Sequence, residues 1–253
     1  MKEGVVRMKT AYFRFYAELN DFFSAQQSGT WHYHQFKGTQ SVKDRIESMG
    51  VPHPEVSLIL SNGEAVDFSY HVQAGDYISV YPAFRTFSLI SDIRLRPLYE
   101  PPYQFVLDAH LGKLARYMRM LGFDTWYRND YDDPELARIS DEEDRILLTS
   151  DHGLLKRSRV TYGYFIREDD PRQQLHSVLS RYDLFGKVGQ RGRCVECNTL
   201  LKPVEKEKIS DKLEPKTKKY HQEFYLCQQC NKVYWKGSHY QNMLAGIEEL
   251  KRG

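Results

Sequence analysis

The hydrophobic pattern of the first 85 residues changes between the two-residue period of strands and the spacing of a helix. Residues 8–18 alternate aromatic and polar side chains, which predicts a β-strand. Residues 39–50 have apolar positions at helical spacing between the capping residue Ser41 and Gly50, which predicts a helix. Further strands are predicted at residues 56–60 and 77–81, with a hairpin turn at 62–63. This order indicates a small α+β domain at residues 1–85.

From residue 103 onwards, short apolar strands alternate with amphipathic helices. The predicted strands are residues 105–107, 123–127, 146–149 and 162–166. The predicted helices are residues 110–121, 133–143, 151–157 and 172–181. Such alternation is typical of a parallel sheet flanked by helices, and it predicts an α/β domain at residues 103–190. The proline-containing residues 86–102 are predicted to be a linker.

The composition, with 41% hydrophobic and 13% aromatic residues, is sufficient for packed cores. No apolar run is long enough to span a bilayer and the first residues lack a signal core, so we expect a cytoplasmic protein without a membrane partner. The net charge of +2 is uneven, because residues 191–253 carry 13 Lys and Arg against 8 Asp and Glu. A basic end suits a polyanionic partner, although an ordinary charged surface has the same composition.

All four cysteines lie in two Cys-x-x-Cys pairs in the last quarter of the chain. They are Cys194, Cys197, Cys227 and Cys230. Four thiolates from two such pairs form the tetrahedral ligand set of a structural zinc ion, and a reducing compartment disfavours the alternative of two disulfides. The pattern therefore predicts a zinc ribbon at residues 191–253. Within it, Lys236 beside Tyr234 and Trp235 is a candidate RNA contact, although the rings could equally form the core of so small a module.

Acidic side chains follow four of the strands predicted in the α/β domain, at the sheet edge where ligands gather. They are Asp108, then Asp130, Asp132 and Asp133, then Asp151, and finally Glu168, Asp169 and Asp170. Carboxylate oxygens are the ligands that Mg²⁺ and Mn²⁺ prefer, and such ions can activate water for hydrolysis of a phosphodiester. Each acid could instead cap the helix that follows it. Their recurrence at four strand ends favours a metal site.

The helix predicted after Asp108 has a basic strip separate from its apolar face. The strip consists of Lys113, Arg116 and Arg119, spaced three residues apart. A phosphate backbone would lie along this strip if Asp108 held a metal ion, which makes the three side chains candidate substrate contacts. A solvated amphipathic face is the alternative.

Four segments of the chain resemble the Mut-seven C-terminal RNase family, a branch of the PIN-like nucleases. They are DAHLGKLARYMRMLGFD at residues 108–124, ILLTSDHGLL at 146–155, RCVECN at 193–198 and VYWKGSHY at 233–240. The resemblance covers residues 103–253 and implies a PIN-like fold that cleaves RNA with a divalent metal. It matches Asp108 and Asp151 to the family's acids, and Asp132 or Asp133 would supply a third. Ser150 stands where the family commonly has an arginine.

The N-terminal domain resembles a ubiquitin-like β-grasp domain of the sulfur-carrier type. The resemblance is carried by FRFYAEL at residues 13–19, VDF at 66–68 and AGDYISVY at 74–81. Sulfur carriers end in a Gly-Gly tail, whereas this chain continues through residues 81–85 into more sequence, so we expect a binding or packing module with a possible protein partner. RNase family members often carry such a domain in front.

Together these observations predict three domains: a β-grasp domain, a PIN-like nuclease domain and a zinc ribbon. We expect a metal-dependent ribonuclease with a structural zinc ion and a catalytic Mg²⁺ or Mn²⁺ ion, which hydrolyses RNA phosphodiester bonds. The alternative is a non-catalytic adaptor that binds RNA or protein through the zinc ribbon and the β-grasp domain, with the acids acting only as helix caps. Substrate identity and oligomeric state are not predicted.

Overall fold

The computed structural model describes residues 8–82, 95–97, 99–189 and 192–252. Most of the predicted linker at 86–102 lies outside these residues. The chain divides into two compact units: a first unit formed by residues 1–100 and 151–165, and a second unit formed by residues 101–150 and 166–253. Among the described residues, no helix has both the length and the apolar character needed to cross a bilayer.

Residues 8–82 form a five-stranded mixed sheet that carries one α-helix. The elements are β1 (Lys9–Phe15), β2 (His32–Phe36), α1 (Val42–Ser48), β3 (Val56–Ser61), β4 (Glu64–Val66) and β5 (Tyr77–Pro82). The strand order in the sheet is β2-β1-β5-β3-β4, with β1 parallel to β5 and the other neighbours antiparallel. The predicted ubiquitin-like β-grasp fold is confirmed.

Local sequence explains most of these elements. The inward positions of β1, Ala11, Phe13 and Phe15, are buried in the core of the domain, as their two-residue spacing predicts. The hydroxyl of Ser41 accepts a hydrogen bond from the backbone N–H of Asp44 at 3.1 Å, which confirms the predicted helix cap. The hydrophobic pattern does not predict β2, because its sequence His-Tyr-His-Gln-Phe buries only the final phenylalanine.

The α/β part of the chain alternates strands with helices as predicted. Its elements are β6 (Gln104–Leu107), α2 (Gly112–Met120), β7 (Asp124–Tyr127), α3 (Asp133–Glu142), β8 (Ile146–Thr149), α4 (His152–Leu155), β9 (Gly163–Phe165) and α5 (Pro171–Arg181). Strand β6 pairs in parallel with both β7 and β8, and every residue of β8 is buried. Helix α2 packs against β7, and α3 packs against β6 and β8. The predicted parallel sheet flanked by helices is confirmed.

The segment that contains α4 and β9 belongs to the first unit and packs against the β-grasp residues. The ring of Phe22 contacts the rings of His152 and Phe165, with centroids 5.3 and 5.6 Å away. The buried carboxylate of Glu55 accepts a hydrogen bond from the backbone N–H of Phe165 at 2.6 Å. The ring of the buried His53 lies 2.8 Å from the carbonyl oxygen of Val160. The β-grasp residues therefore support the backbone that follows Asp151.

The last part of the chain forms a small antiparallel sheet and a terminal helix. Its elements are β10 (Lys202–Val204), α6 (Pro215–Tyr220), β11 (Phe224–Leu226), β12 (Val233–Tyr234) and α7 (Ser238–Arg252). Strand β11 lies between β10 and β12. Helix α7 packs against α5 in the second unit. The three strands hold the two cysteine pairs at one end of the sheet.

Candidate active site and zinc ribbon

Asp108 follows directly after β6, where its carboxylate is nearly buried at 7% exposure. One carboxylate oxygen accepts a hydrogen bond from the hydroxyl of Thr149, at the end of β8, at 2.7 Å. The other accepts the backbone N–H of His110 at 3.3 Å and lies 3.1 Å from Nδ1 of that ring. Asp108 therefore caps the turn that leads into α2, as the alternative interpretation predicts, and is also held in one orientation from two sides.

Asp151 has a capping role of the same kind in the first unit. Its Oδ1 atom accepts hydrogen bonds from the backbone N–H groups of Gly153 at 2.6 Å and Leu154 at 3.3 Å, at the start of α4. Unlike Asp108, this side chain is exposed. Asp108 and Asp151 thus follow β6 and β8, respectively, as predicted from the sequence pattern, and each lies at the beginning of a helical segment.

The remaining candidate acids have several different surroundings. Asp132 caps α3 by accepting the backbone N–H of Glu135 at 2.9 Å, and Asp133 is the first residue of that helix. Asp130 forms a two-bond ion pair with Arg128, at 2.8 and 2.6 Å, and this hydrogen-bonded partner lowers the pKa of the Asp130 carboxyl. Asp170 caps α5, as the proline that follows it suggests.

An open cleft of about 850 Å³ lies within the second unit, beside the turn that Asp108 caps. Its charged and titratable lining residues are His110, Lys113, Arg116, Arg119, Arg128, Asp130, Asp169 and Glu196. Lys113 and Arg116 are exposed on α2, as the basic strip predicts. Glu196 from the first cysteine pair forms ion pairs with Arg116 at 3.1 Å and with Lys232 at 3.3 Å. The cleft is therefore lined by four arginine or lysine side chains and three acids, and two of the acids form ion pairs with Arg116 and Arg128.

Arg119, the third residue of the predicted basic strip, is almost completely buried. Its guanidinium donates to the carbonyl oxygens of Thr125 at 2.8 Å and Tyr127 at 3.3 Å, and to those of Val195 at 2.9 Å and Glu196 at 3.0 Å. Burial lowers the pKa of Arg119. The side chain thus joins α2 to β7 and to the first cysteine pair, and its donors are occupied by backbone carbonyl groups.

A second buried polar contact between the sheet and the ribbon centres on Asp124. Its carboxylate accepts hydrogen bonds from Arg145 at 2.8 Å and from the side-chain amide of Asn198 at 2.9 Å, and it lies 3.1 Å from the guanidinium of Arg193. Asn198 in turn accepts the backbone N–H of Thr125 at 3.1 Å. The sequence pattern does not indicate this network, because its members come from three separate segments, at residues 124–125, 145 and 193–198.

We expect the Asp124→Asn variant to be about 2 kcal/mol less stable than the parent at pH 7, because the buried Arg145 would lose the closer of its two carboxylate partners and keep only the more exposed Glu143. Burial raises the pKa of Asp124, but hydrogen bonds from Arg145 and Asn198 and the charges of Arg145 and Arg193 lower it more, so the folded-state pKa lies below the usual value. The stabilisation is therefore complete above about pH 4 and is lost as the pH falls through the folded-state pKa. Urea unfolding at pH 7 and pH 3 measures both effects.

The exposed Asp211, which has no such network, provides the control as Asp211→Asn. This variant should unfold like the parent at both pH values. A difference between parent and Asp124→Asn that is the same at pH 3 as at pH 7 would show that the carboxylate charge is not the source of the stabilisation.

The four cysteine sulfurs converge at one end of the ribbon sheet, with all four Sγ atoms within 4.8 Å of one another. The closest Sγ pairs are 3.3 Å apart for Cys194 and Cys230 and 3.4 Å for Cys197 and Cys227, well beyond the roughly 2.05 Å of a disulfide bond. This set of converging thiols fits a tetrahedral zinc ion. Within either unit, the described residues hold no other group of three or more His, Cys, Asp or Glu side chains that converges in this way.

The two cysteine pairs have the same backbone geometry, and each ends in an asparagine. The N–H of Asn198 donates to the carbonyl of Cys194 at 2.9 Å, and that of Asn231 donates to the carbonyl of Cys227 at 2.9 Å. Both asparagines have positive φ angles, 66° and 56°, a conformation that asparagine tolerates better than most residues. The repeated Cys-x-x-Cys-Asn sequence is a signal for these two residues that the prediction of the zinc site did not use.

The aromatic residues near Lys236 divide between packing and exposure. The hydroxyl of the half-buried Tyr234 lies 3.1 Å from the sulfur of Cys194, so this ring borders the cysteine cluster. Trp235 keeps 39% of its surface exposed and packs at the ribbon edge, with its ring centroid 6.5 Å from that of Phe224. Lys236 itself is exposed.

Two protein-family models match the chain, one in its N-terminal part and one in the rest. A family model described as Mut7-C RNAse domain matches residues 103–247, which is more than half of the chain. A second model, described as Mut7-C ubiquitin, matches residues 8–88. Comparison with curated proteins and with solved structures found no match.

Proposed function

The chain belongs to the Mut7-C RNAse domain family, and from this premise we propose that it is a ribonuclease that hydrolyses RNA with a carboxylate-held Mg²⁺ or Mn²⁺ ion. The observation that carries the proposal is the carboxylate of Asp108, which is oriented by Thr149 and His110 beside a cleft that Lys113 and Arg116 line. Within the described part of the chain, this carboxylate has the exposed imidazole of His110 as an ion-pair partner at 3.1 Å but no arginine or lysine, and a nearly buried carboxylate is costly unless a positive charge compensates it.

In the second unit, Asp108 is the proposed metal ligand, with Asp132 or Asp133 as an accessory ligand, and Asp151 stays a ligand predicted by the family resemblance. When bound, Mg²⁺ or Mn²⁺ would supply an activated water and neutralise charge on the phosphodiester. The hydroxyl of Thr149 and the N–H of His110 fix the Asp108 carboxylate, which reduces the reorganisation needed to bind a cation. The helix caps at Asp151 and Asp132 orient those carboxylates in the same manner.

The proposed substrate contacts are Lys113 and Arg116 on the cleft wall and Lys236 in the ribbon. The exposed pair between Arg116 and Glu196 contributes little in water, so a phosphate could replace the glutamate at small cost. Arg119 is not included, because its donors are engaged by four backbone carbonyl groups. We propose that it positions the first cysteine pair beside the cleft.

Incubation of the purified protein with mixed small RNAs tests the proposed activity. We expect cleavage in the presence of Mn²⁺ or Mg²⁺, loss of cleavage after addition of EDTA, and recovery when Mn²⁺ is added in excess. The zinc content of each sample should be measured by mass spectrometry, so that loss of the ribbon metal is not mistaken for loss of the catalytic ion. Cleavage that continues in EDTA, or no cleavage with either ion, would refute the proposal.

A non-catalytic adaptor is the second candidate, and one observation favours it. Asp108, Asp151 and Asp132 all act as helix caps, which is sufficient to account for their positions. In that case the chain would bind RNA through the cleft and the ribbon without cutting it. A cytoplasmic location and a protein partner for the β-grasp domain stay predictions under both candidates.

A further inference from the structure

The face of the β-grasp sheet opposite its core carries a row of aromatic side chains. Tyr12 in β1 lies directly opposite Tyr33 in β2 and Tyr77 in β5, so one tyrosine occupies the same level in three neighbouring strands. The rings of Tyr12 and Tyr77 are stacked, with centroids 4.7 Å apart and planes 14° apart. Trp31 lies edge-on to Tyr77 at 5.3 Å. We call Tyr12, Trp31, Tyr33 and Tyr77 the aromatic face.

Three of the four rings are exposed although they are large, and Tyr12 is half-buried between them. Tyr33 has 75% of its surface exposed, Tyr77 50% and Trp31 41%. Exposed apolar surface that is contiguous, rather than scattered, marks binding sites more often than single exposed residues do. The sheet and the ring stacking already fix the side chains of Tyr12 and Tyr77. These two side chains would therefore lose little conformational entropy when a ligand stacks on the face.

The strands that carry the aromatic face hold an arginine and no acidic residue, which is compatible with an anionic ligand. The sequences of β1, β2 and β5 contain no Asp or Glu. Arg14, two residues after Tyr12 and therefore on the same side of β1, lies over the ring of Tyr16 at 5.2 Å. The carboxylate of Asp76, which precedes Tyr77, is buried and accepts hydrogen bonds from Asn62, Tyr70 and the backbone of Gln73. A polyanion lying along β1, β2 and β5 would therefore meet the half-buried Arg14 and aromatic rings, and no carboxylate from these three strands.

We propose that the aromatic face binds single-stranded RNA, with bases stacked on Tyr33 and Tyr77 and a phosphate near Arg14. Aromatic side chains on a sheet are a suitable platform for unpaired bases, since every base has a π-face. The choice of RNA over other polyanions rests on the proposed ribonuclease function. The stacking geometry of the aromatic face is an observation that is independent of that function. The β-grasp domain would then hold a strand of the substrate in addition to the cleft of the second unit.

A titration of the full chain with a fluorescently labelled 12-nucleotide oligouridine, followed by anisotropy, tests this proposal. Asp108→Asn should be the background, so that the probe is not cut. We expect Tyr33→Ala or Tyr77→Ala to weaken binding about five-fold or more, since loss of one stacking ring costs at least about 1 kcal/mol per base. The Tyr33→Phe and Tyr77→Phe variants keep the ring and should bind within about two-fold of the background. Tyr220→Ala, an exposed tyrosine outside the face, is the matched control and should also bind within two-fold.

Several results would overturn the proposal. They include binding by the two alanine variants equal to the background, no binding of the probe by the background protein, and an equal loss in Tyr220→Ala. Light scattering on the same samples tests a protein occupant: a dimer that dissociates in Tyr33→Ala would assign the face to contact between copies of the chain. Because the assay measures binding, a result in favour stands even if the parent protein fails to cleave RNA.

Discussion

Asp108→Asn should lower the rate of RNA cleavage by about 100-fold or more, while RNA affinity stays within about two-fold. Asparagine has nearly the same shape: its oxygen can accept the N–H of His110, and its amide N–H can donate to the hydroxyl of Thr149, which reverses that hydrogen bond. The turn before α2 should therefore keep its cap, and only the negative charge that would hold the metal is lost. Cleavage of a labelled RNA in Mn²⁺ and binding of the same RNA measure the two quantities separately.

Lys113→Ala is the matched variant for this experiment, because Lys113 lies on the wall of the same cleft. It should weaken RNA binding and reduce the dependence of affinity on salt, with a smaller effect on the rate at saturating RNA. A loss of cleavage rate in Asp108→Asn and a loss of RNA affinity in Lys113→Ala would assign Asp108 to the cleavage step and Lys113 to substrate binding. If Asp108→Asn cleaved RNA at the parent rate, the adaptor interpretation would replace the nuclease.

Periodicity and turn chemistry were sufficient to predict the elements that depend on neighbouring residues. Ser41 caps its helix, and the predicted turn at residues 62–63 joins β3 to β4, with Asn62 and Gly63 both at positive φ angles. The alternation from residue 103 onwards likewise predicted a parallel sheet, since parallel strands need a crossover connection and a helix is the usual one. The four cysteines were predictable because thiolate spacing is a local constraint.

The features that the pattern missed depend on contacts between distant segments. Helical spacing puts Arg119 on a polar strip with Lys113 and Arg116, but it cannot show that the first cysteine pair covers the end of that strip. The network of Asp124 with Arg145 and Asn198 was not predictable for the same reason, because each of these polar residues alone suggests a position on the surface. For the same reason, the sequence did not indicate that residues 151–165 pack with the β-grasp domain.

These distant contacts make the ribbon a structural support for the rest of the second unit. Arg119 donates to the carbonyl groups of Val195 and Glu196, and Asp124 bonds Asn198, so three consecutive or nearly consecutive ribbon residues satisfy buried polar groups of α2 and β7. The carbonyl groups belong to the loop between Cys194 and Cys197, whose shape depends on what binds the two sulfurs. Loss of the metal should therefore leave the buried guanidinium of Arg119 and the half-buried carboxylate of Asp124 with fewer partners.

Cys227→Ser should release the bound zinc and lower the melting temperature by about 5 °C or more. Structural zinc sites contribute folding free energy directly, and the loss should extend through Arg119 and Asp124 beyond the ribbon. We expect about one zinc per chain in the parent and a small fraction of that in the variant, measured by mass spectrometry on dialysed protein. Gln228→Ser, an exposed neighbour in the same cysteine pair, should keep both zinc and melting temperature. A parent without zinc, or a Cys227→Ser variant as stable as the parent, would contradict a structural metal, since the four sulfurs would then need no ion to hold the ribbon against α2 and β7.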